Sequence, residues 1–131
     1  MRVMLDTNIL VSAIIFPNDR MDSLICKASI DNQLVLSSYI IDELFDIIER
    51  KFPEQSKDVD LFLTRLPYEF VYSPKEYNQE LFTIRDINDY LVLYSAITED
   101  VDIFVTGDKD FADIKIEKPE VISPSKFIEL Y

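Results

Sequence analysis

Two aspartates stand just past short apolar runs. Val3-Met4-Leu5 leads into Asp6-Thr7-Asn8, and Ile103-Phe104-Val105 leads into Thr106-Gly107-Asp108. If both runs are strands of one parallel sheet, their C-terminal ends lie side by side, where open α/β sheets form their ligand crevices. Asp6 and Asp108 then become neighbours despite their distance along the chain. Two unneutralised carboxylates at close range repel, so one must keep a proton or a cation must sit between them. A bridging cation is the chemistry this pattern suggests. Two helical carboxylates point the same way. In the segment Asn88 to Thr98, an advance of about 100° per residue sets Asp89 in a face made by Val92, Leu93, Ala96 and Ile97, where an unpaired carboxylate is costly. Glu43 lies at the edge of the stripe formed by Ile40, Ile41, Leu44, Ile47 and Ile48, whereas Asp42, Asp46 and Glu49 fall on the polar side.

Composition removes the competing chemistries. The chain has no histidine, which excludes imidazole bases, Ser-His-Asp triads and histidine-bound zinc. Its one cysteine, Cys26, can form neither an intrachain disulfide nor a cysteine metal site. Gly107 is the sole glycine, too few for a Walker A loop or a G-x-G-x-x-G turn. Carboxylate, hydroxyl, amide, lysine and arginine remain, and oxygen-rich sites select hard cations such as Mg²⁺ or Mn²⁺. The formal charge of −12 counts against phosphate polymers as partners. A divalent ion held by four carboxylates cancels part of that charge locally, and the local field is what a bound phosphate meets.

The elements that must position these groups alternate between strand-like and helix-like, the signature of βαβ units. With 131 residues and 48% apolar content, one domain spanning residues 1–131 is expected, with no linker to divide it. After the first strand, Ile9 to Phe16 reads as a helix closed by Pro17, and Asp19 to Asp31 as an amphipathic helix. Leu34-Val35-Leu36 is a buried strand, and Ser37-Ser38 caps a helix running to Phe52. Pro53 ends it, a further helix spans Glu54 to Leu66, and Phe70-Val71-Tyr72 is the next strand. Pro74 opens a polar connection to the helix at Asn88. Ile103 to Val105 and Glu120 to Ile122 are strands, and a last helix starts near Pro124. No stretch approaches membrane-spanning length and no leader interrupts the start, so a cytoplasmic protein with no membrane partner is expected.

Each singled-out residue also has a purely structural reading. Asp86-Ile87-Asn88-Asp89 resembles a capping box, with Asp86 or Asn88 as the cap and Asp89 bonding first-turn amides. Glu43 fits an ordinary helix boundary. Thr7 and Asn8 can cap the helix they precede, and Asp108 and Asp110 can be turn formers beside Gly107.

Taken in order, Leu5-Asp6-Thr7-Asn8, Asp42-Glu43-Leu44, Arg85-Asp86-Ile87-Asn88-Asp89 and Thr106-Gly107-Asp108-Lys109-Asp110-Phe111 resemble the motifs of a PIN domain. More narrowly, the chain is similar to PIN-family toxin components of bacterial and archaeal toxin–antitoxin pairs. The likeness runs to the closing Val121-Ile122-Ser123-Pro124. It implies a three-layer α/β/α fold with a central, mostly parallel, Rossmann-like sheet. It also implies that Asp6, Glu43, Asp89 and Asp108 form an acidic cluster binding Mg²⁺ or Mn²⁺, with Thr7, Asn8 and Thr106 orienting carboxylates and water. The Arg85 block departs from the family's pattern at Ile87 and Asn88, which leaves room for Asp86 to share the third acidic position, and Asp110 is either an extra ligand or a helix cap. The implied activity is metal-assisted hydrolysis of RNA by water, leaving 5′-phosphate and 3′-hydroxyl ends. Arg85 and Lys109, beside the acidic motifs, are the expected phosphate contacts. An antitoxin partner and a homodimer follow from the same resemblance. Two other classes stay open: a Mg²⁺-dependent phosphotransfer domain of the haloacid-dehalogenase or receiver type, and a non-catalytic module that keeps the fold and binds a protein. The phosphatase pattern wants an aspartate where this chain has Asn8, and a receiver wants paired acidic residues where it has Arg2-Val3.

Overall fold

The apolar runs that precede the candidate carboxylates pair side by side. In the computed structural model, which describes residues 1–131, β1 (Arg2–Leu5) is the central strand of a five-stranded sheet. It is joined by β2 (Gln33–Ser37), β3 (Glu69–Val71), β4 (Ile103–Val105) and β5 (Glu120–Ile122) in the order β3-β2-β1-β4-β5. All four pairings are parallel, so the sheet is wholly rather than mostly so. Val3, Met4, Leu5, Val35, Phe104 and Val105 are fully enclosed, as strands covered on both faces must be. Helices on the two faces complete the three-layer α/β/α architecture.

The chain moves outward from β1 through β2 to β3, then returns to β4 on the other side of β1 and ends at β5. The connection therefore reverses between β1 and β4, and the crevice of such a sheet opens at the C-terminal ends of that pair. Leu5 stands opposite Val105 in the ladder, which delivers Asp6 and Thr106 to the same edge. The Asp6 N–H donates to the Val105 carbonyl at 3.0 Å, and the Thr106 N–H to the Ile122 carbonyl at 3.0 Å.

The helices are α1 (Thr7–Ile15), α2 (Asp19–Ser29), α3 (Ser38–Lys51), α4 (Ser56–Arg65), α5 (Ile87–Thr98) and α6 (Pro124–Leu130), with 3₁₀ turns at Pro53–Gln55 and Lys109–Phe111. α1 packs on α2, α3 and α4, and α2 packs on α6. Several boundaries differ from the sequence reading for local reasons. α1 begins at Thr7 because the Asp6 carboxylate caps it, accepting the Thr7 N–H at 2.8 Å. Pro53 ends α3 but opens a 3₁₀ turn leading into α4. β3 is one residue earlier than expected and leaves Tyr72 largely exposed. The connection over residues 72–86 is tied down by aromatics: Phe82 stacks on Tyr90 at 4.2 Å between centroids, and the Tyr90 hydroxyl donates to the Asn78 carbonyl. That anchoring sets the entry of α5, where Arg85 and Asp86 sit.

Candidate metal centre

At the crevice the two strand ends are stitched together by one threonine. Thr106 Oγ1 donates to Asp6 Oδ2 at 2.7 Å and accepts from the Asp108 N–H at 3.0 Å, so it touches both acidic turns. Asp6 is almost completely buried, and both of its oxygens are engaged, Oδ1 by Thr7 and Oδ2 by Thr106. Burial pushes its carboxyl above the ordinary aspartate range; the two hydrogen bonds oppose that, and the charges of Glu43 and Asp108 add to it. Thr7 and Asn8 are the first residues of α1 rather than its caps. The Thr7 hydroxyl is buried with no hydrogen-bond partner in the protein, directly beside Asp6.

Asp89 sits in the first turn of α5, which Asp86 caps by accepting the Asn88 N–H at 2.8 Å. Of the alternatives in the Arg85 block, the capping role thus falls to Asp86, and Asp89 is left half-buried on the inner side of the helix. Its carboxyl is pushed up to about 6, first by burial and then by the charges of Asp108, Asp86, Asp6 and Asp110. Asp108 caps the 3₁₀ turn after β4, its Oδ1 accepting the Asp110 N–H at 2.9 Å. That short turn swings Asp110 back toward the centre: carboxylate oxygens of Asp89, Asp108 and Asp110 all lie within 4.8 Å of one another. The tight trio is therefore Asp89, Asp108 and Asp110. Asp6 adjoins it through Thr106, and Asp110 is not a helix cap.

Arg85, expected to await phosphate, is instead 3.1 Å from Asp110 Oδ2 while its side chain stays 84% exposed. Lys109 is exposed in the 3₁₀ turn and lines a cavity with Asp108. Glu43 is half-buried on α3 at the far wall, where Tyr39, one turn earlier, directs its hydroxyl to Glu43 Oε2 at 3.4 Å. The Tyr39 hydroxyl is pushed up to about 12, first by its own burial and then by Glu43, Asp86 and Asp89. Tyr39 carries no sequence signal of its own beyond its spacing of four residues from Glu43. Arg20 and Lys126 were equally silent, because only the packing of α2 on α6 brings them beside Asp108.

The residues present fit a divalent cation. All donors are oxygen, two of the carboxyls are held above their ordinary range by burial and by neighbouring carboxylates, and one buried hydroxyl beside them lacks a partner. A cation relieves each of these at once, and an all-oxygen set selects a hard one.

Comparison with known proteins places the fold. A family model described as PIN domain matches residues 2–110. The crystal structure of VapBC2 from Rickettsia felis, bound to a DNA fragment from their promoter, superposes with a TM-score of 0.71 at 26% identity, covering 93% of this chain and 97% of that one. VapC20 of Mycobacterium tuberculosis, described as a Sarcin-Ricin loop cleaving toxin, has the same fold with a TM-score of 0.60 at 10% identity, covering 86% of this chain and 96% of that one. No curated protein sequence matches.

Proposed function

Because the chain belongs to the PIN domain family, we propose that it is a divalent-metal-dependent endoribonuclease and the toxin member of a toxin–antitoxin pair. The observation that carries this reading is the set of under-compensated carboxylates at the β1–β4 switch point: Asp6 buried, Asp89 raised to about 6, and Asp89, Asp108 and Asp110 within 4.8 Å. Asp6, Asp89 and Asp108 would hold the ion, with Asp110 as a further ligand and Glu43 facing them from α3. Mg²⁺ or Mn²⁺, when bound, lowers the pKa of a water and offsets charge on the phosphate. Thr106 holds Asp6 and the Asp108 backbone in one register. Glu43, steadied by Tyr39, accepts a hydrogen bond from the attacking water and so orients it. With no histidine to act as base, and with water rather than the ribose 2′-hydroxyl attacking, the products carry 5′-phosphate and 3′-hydroxyl ends. The VapBC2 likeness supports an antitoxin partner, and the homodimer expected from the family resemblance belongs to the same proposal.

The test is cleavage of RNA by the purified chain with Mn²⁺ or with EDTA, with the product ends identified. Metal-dependent cuts bearing 5′-phosphates, abolished in Asp6→Asn, are expected. A 2′,3′-cyclic phosphate, or cleavage that persists in EDTA, would overturn the mechanism.

A further inference from the structure

The acidic centre has two unlike flanks. Toward α3 it meets Asp42, Glu43 and Asp46, and the cation on that wall, Arg50, is already paired with Asp46. Toward α2 and α6 lie two cavities that share Gly107 and Asp108 in their linings. One, of about 350 Å³, is walled by Asn8, Ser12 and Arg20; the other, of about 320 Å³, runs on to Lys109 and Lys126. Asp108 is the one carboxylate among the residues lining either cavity. Elsewhere Arg2, Arg50, Arg85 and Lys118 are all committed to carboxylates, whereas Arg20, Lys109 and Lys126 are not. Arg20 is steadied by Ser125, with Nη2 2.5 Å from its hydroxyl, and a guanidinium has further donors to offer.

Gly107 gives an independent indication. It is the chain's sole glycine, yet its φ is not positive and a Cβ built on it would meet nothing within 4 Å. Neither the turn nor the packing requires glycine there. A bare backbone where two cavities meet beside Asp108 suits close approach of a ligand.

We propose that this groove holds the sugar-phosphate backbone of the RNA strand adjacent to the cleaved bond, with Arg20 and Lys126 contacting phosphates and Gly107 at the point of closest approach. The strand thus runs over α2 and α6 and not over the acidic face of α3, which explains how a chain of charge −12 engages a polyanion. This rests on the nuclease reading above.

The experiment measures binding of a fluorescent single-stranded RNA by anisotropy in Ca²⁺ across a salt series, with Mn²⁺-dependent cleavage recorded in parallel. Arg20→Gln combined with Lys126→Gln should weaken binding about tenfold and make the slope of log affinity against log salt shallower by about 0.7 per lost contact. Arg20→Lys combined with Lys126→Arg should restore both. Gly107→Val should weaken binding with the slope unchanged, since it adds bulk and removes no charge. Lys75→Gln, remote from the groove, should match wild type. All these positions are exposed, so melting curves should show folded variants. Wild-type binding and slope in the double Gln variant, with the parent chain still binding and cutting RNA, overturns the groove alone. A parent chain that neither binds nor cuts RNA overturns the nuclease reading and the groove with it.

Discussion

At the N-terminal edge of the sheet, Asp102 accepts the Arg2 N–H at 2.7 Å and lies 3.1 Å from Lys118, Lys118 also reaches Asp100 at 2.9 Å, and the Arg2 guanidinium meets Glu69 at 2.6 Å. At the C-terminal edge, a strand's length away, Asp89, Asp108 and Asp110 cluster with Asp6 adjoining them through Thr106, and Arg85 reaches only Asp110. The chemistry of the two edges diverges accordingly. The Arg2 N–H and Lys118 hold Asp102 below the ordinary carboxylate range, and Arg2 does the same for Glu69, whereas Asp6 and Asp89 are held above it. One edge satisfies its charges from within the fold. The other does not, and that contrast is the ground for proposing a ligand site there rather than a structural ion-pair network of the same residue types.

Neutralising one carboxylate at each edge should give opposite results. Asp89→Asn removes a charge that its neighbours oppose, so RNA cleavage should fall by orders of magnitude while the metal-free protein melts at the same temperature or higher. Asp102→Asn breaks a bond to a backbone N–H and a partly exposed ion pair, so it should destabilise the fold by about 1 kcal/mol and leave cleavage unchanged. If Asp89→Asn unfolds the chain, the C-terminal edge is a structural network after all.

The edges should also titrate in opposite directions. Asp89 has a folded value of about 6 against an ordinary 3.8, so its folded state binds the proton more tightly. The stability it contributes is complete below about pH 4 and is lost as pH rises through about 6. Asp102 and Glu69 are lowered, so their contribution is present above the ordinary carboxylate range and is lost as pH falls through their folded values. Urea melts in EDTA from about pH 2 to 7 should show the first trend, between about pH 4 and 6, flattened in Asp89→Asn and the second, below about pH 4, flattened in Asp102→Asn. The smallest effect concerns Gly107, whose backbone any residue can adopt. Gly107→Ala should raise stability by about 0.4–1 kcal/mol through the unfolded chain, measured by the same melts.

The strand-end aspartates were legible because a buried parallel strand has an unmistakable apolar pattern and its C-terminal end is where a side chain meets the crevice. Asp89 was legible because helical periodicity sets it on an apolar face. What the chain does not display is anything dependent on register or on packing between distant elements. The bond from Thr106 to Asp6 needs Leu5 opposite Val105, and a slip of one residue would abolish it. Asp110 has the same local surroundings whether it caps a turn or faces the centre; the 3₁₀ turn settles its direction, and that turn draws its cap from Asp108. Arg85 reads as a free cation in a linear motif, yet it pairs with a residue from a different loop. Arg20 lies on a helix with no motif at all.

If a divalent cation completes the C-terminal edge, thermal melting of the EDTA-treated protein with increasing Mn²⁺ will register it. Wild type and Asp102→Asn should both gain melting temperature with the logarithm of Mn²⁺ concentration above a common dissociation constant, and Asp89→Asn should gain little. A wild-type melting temperature that ignores millimolar Mn²⁺, or an equal gain in Asp89→Asn, would show that no cation is held at this edge by Asp89.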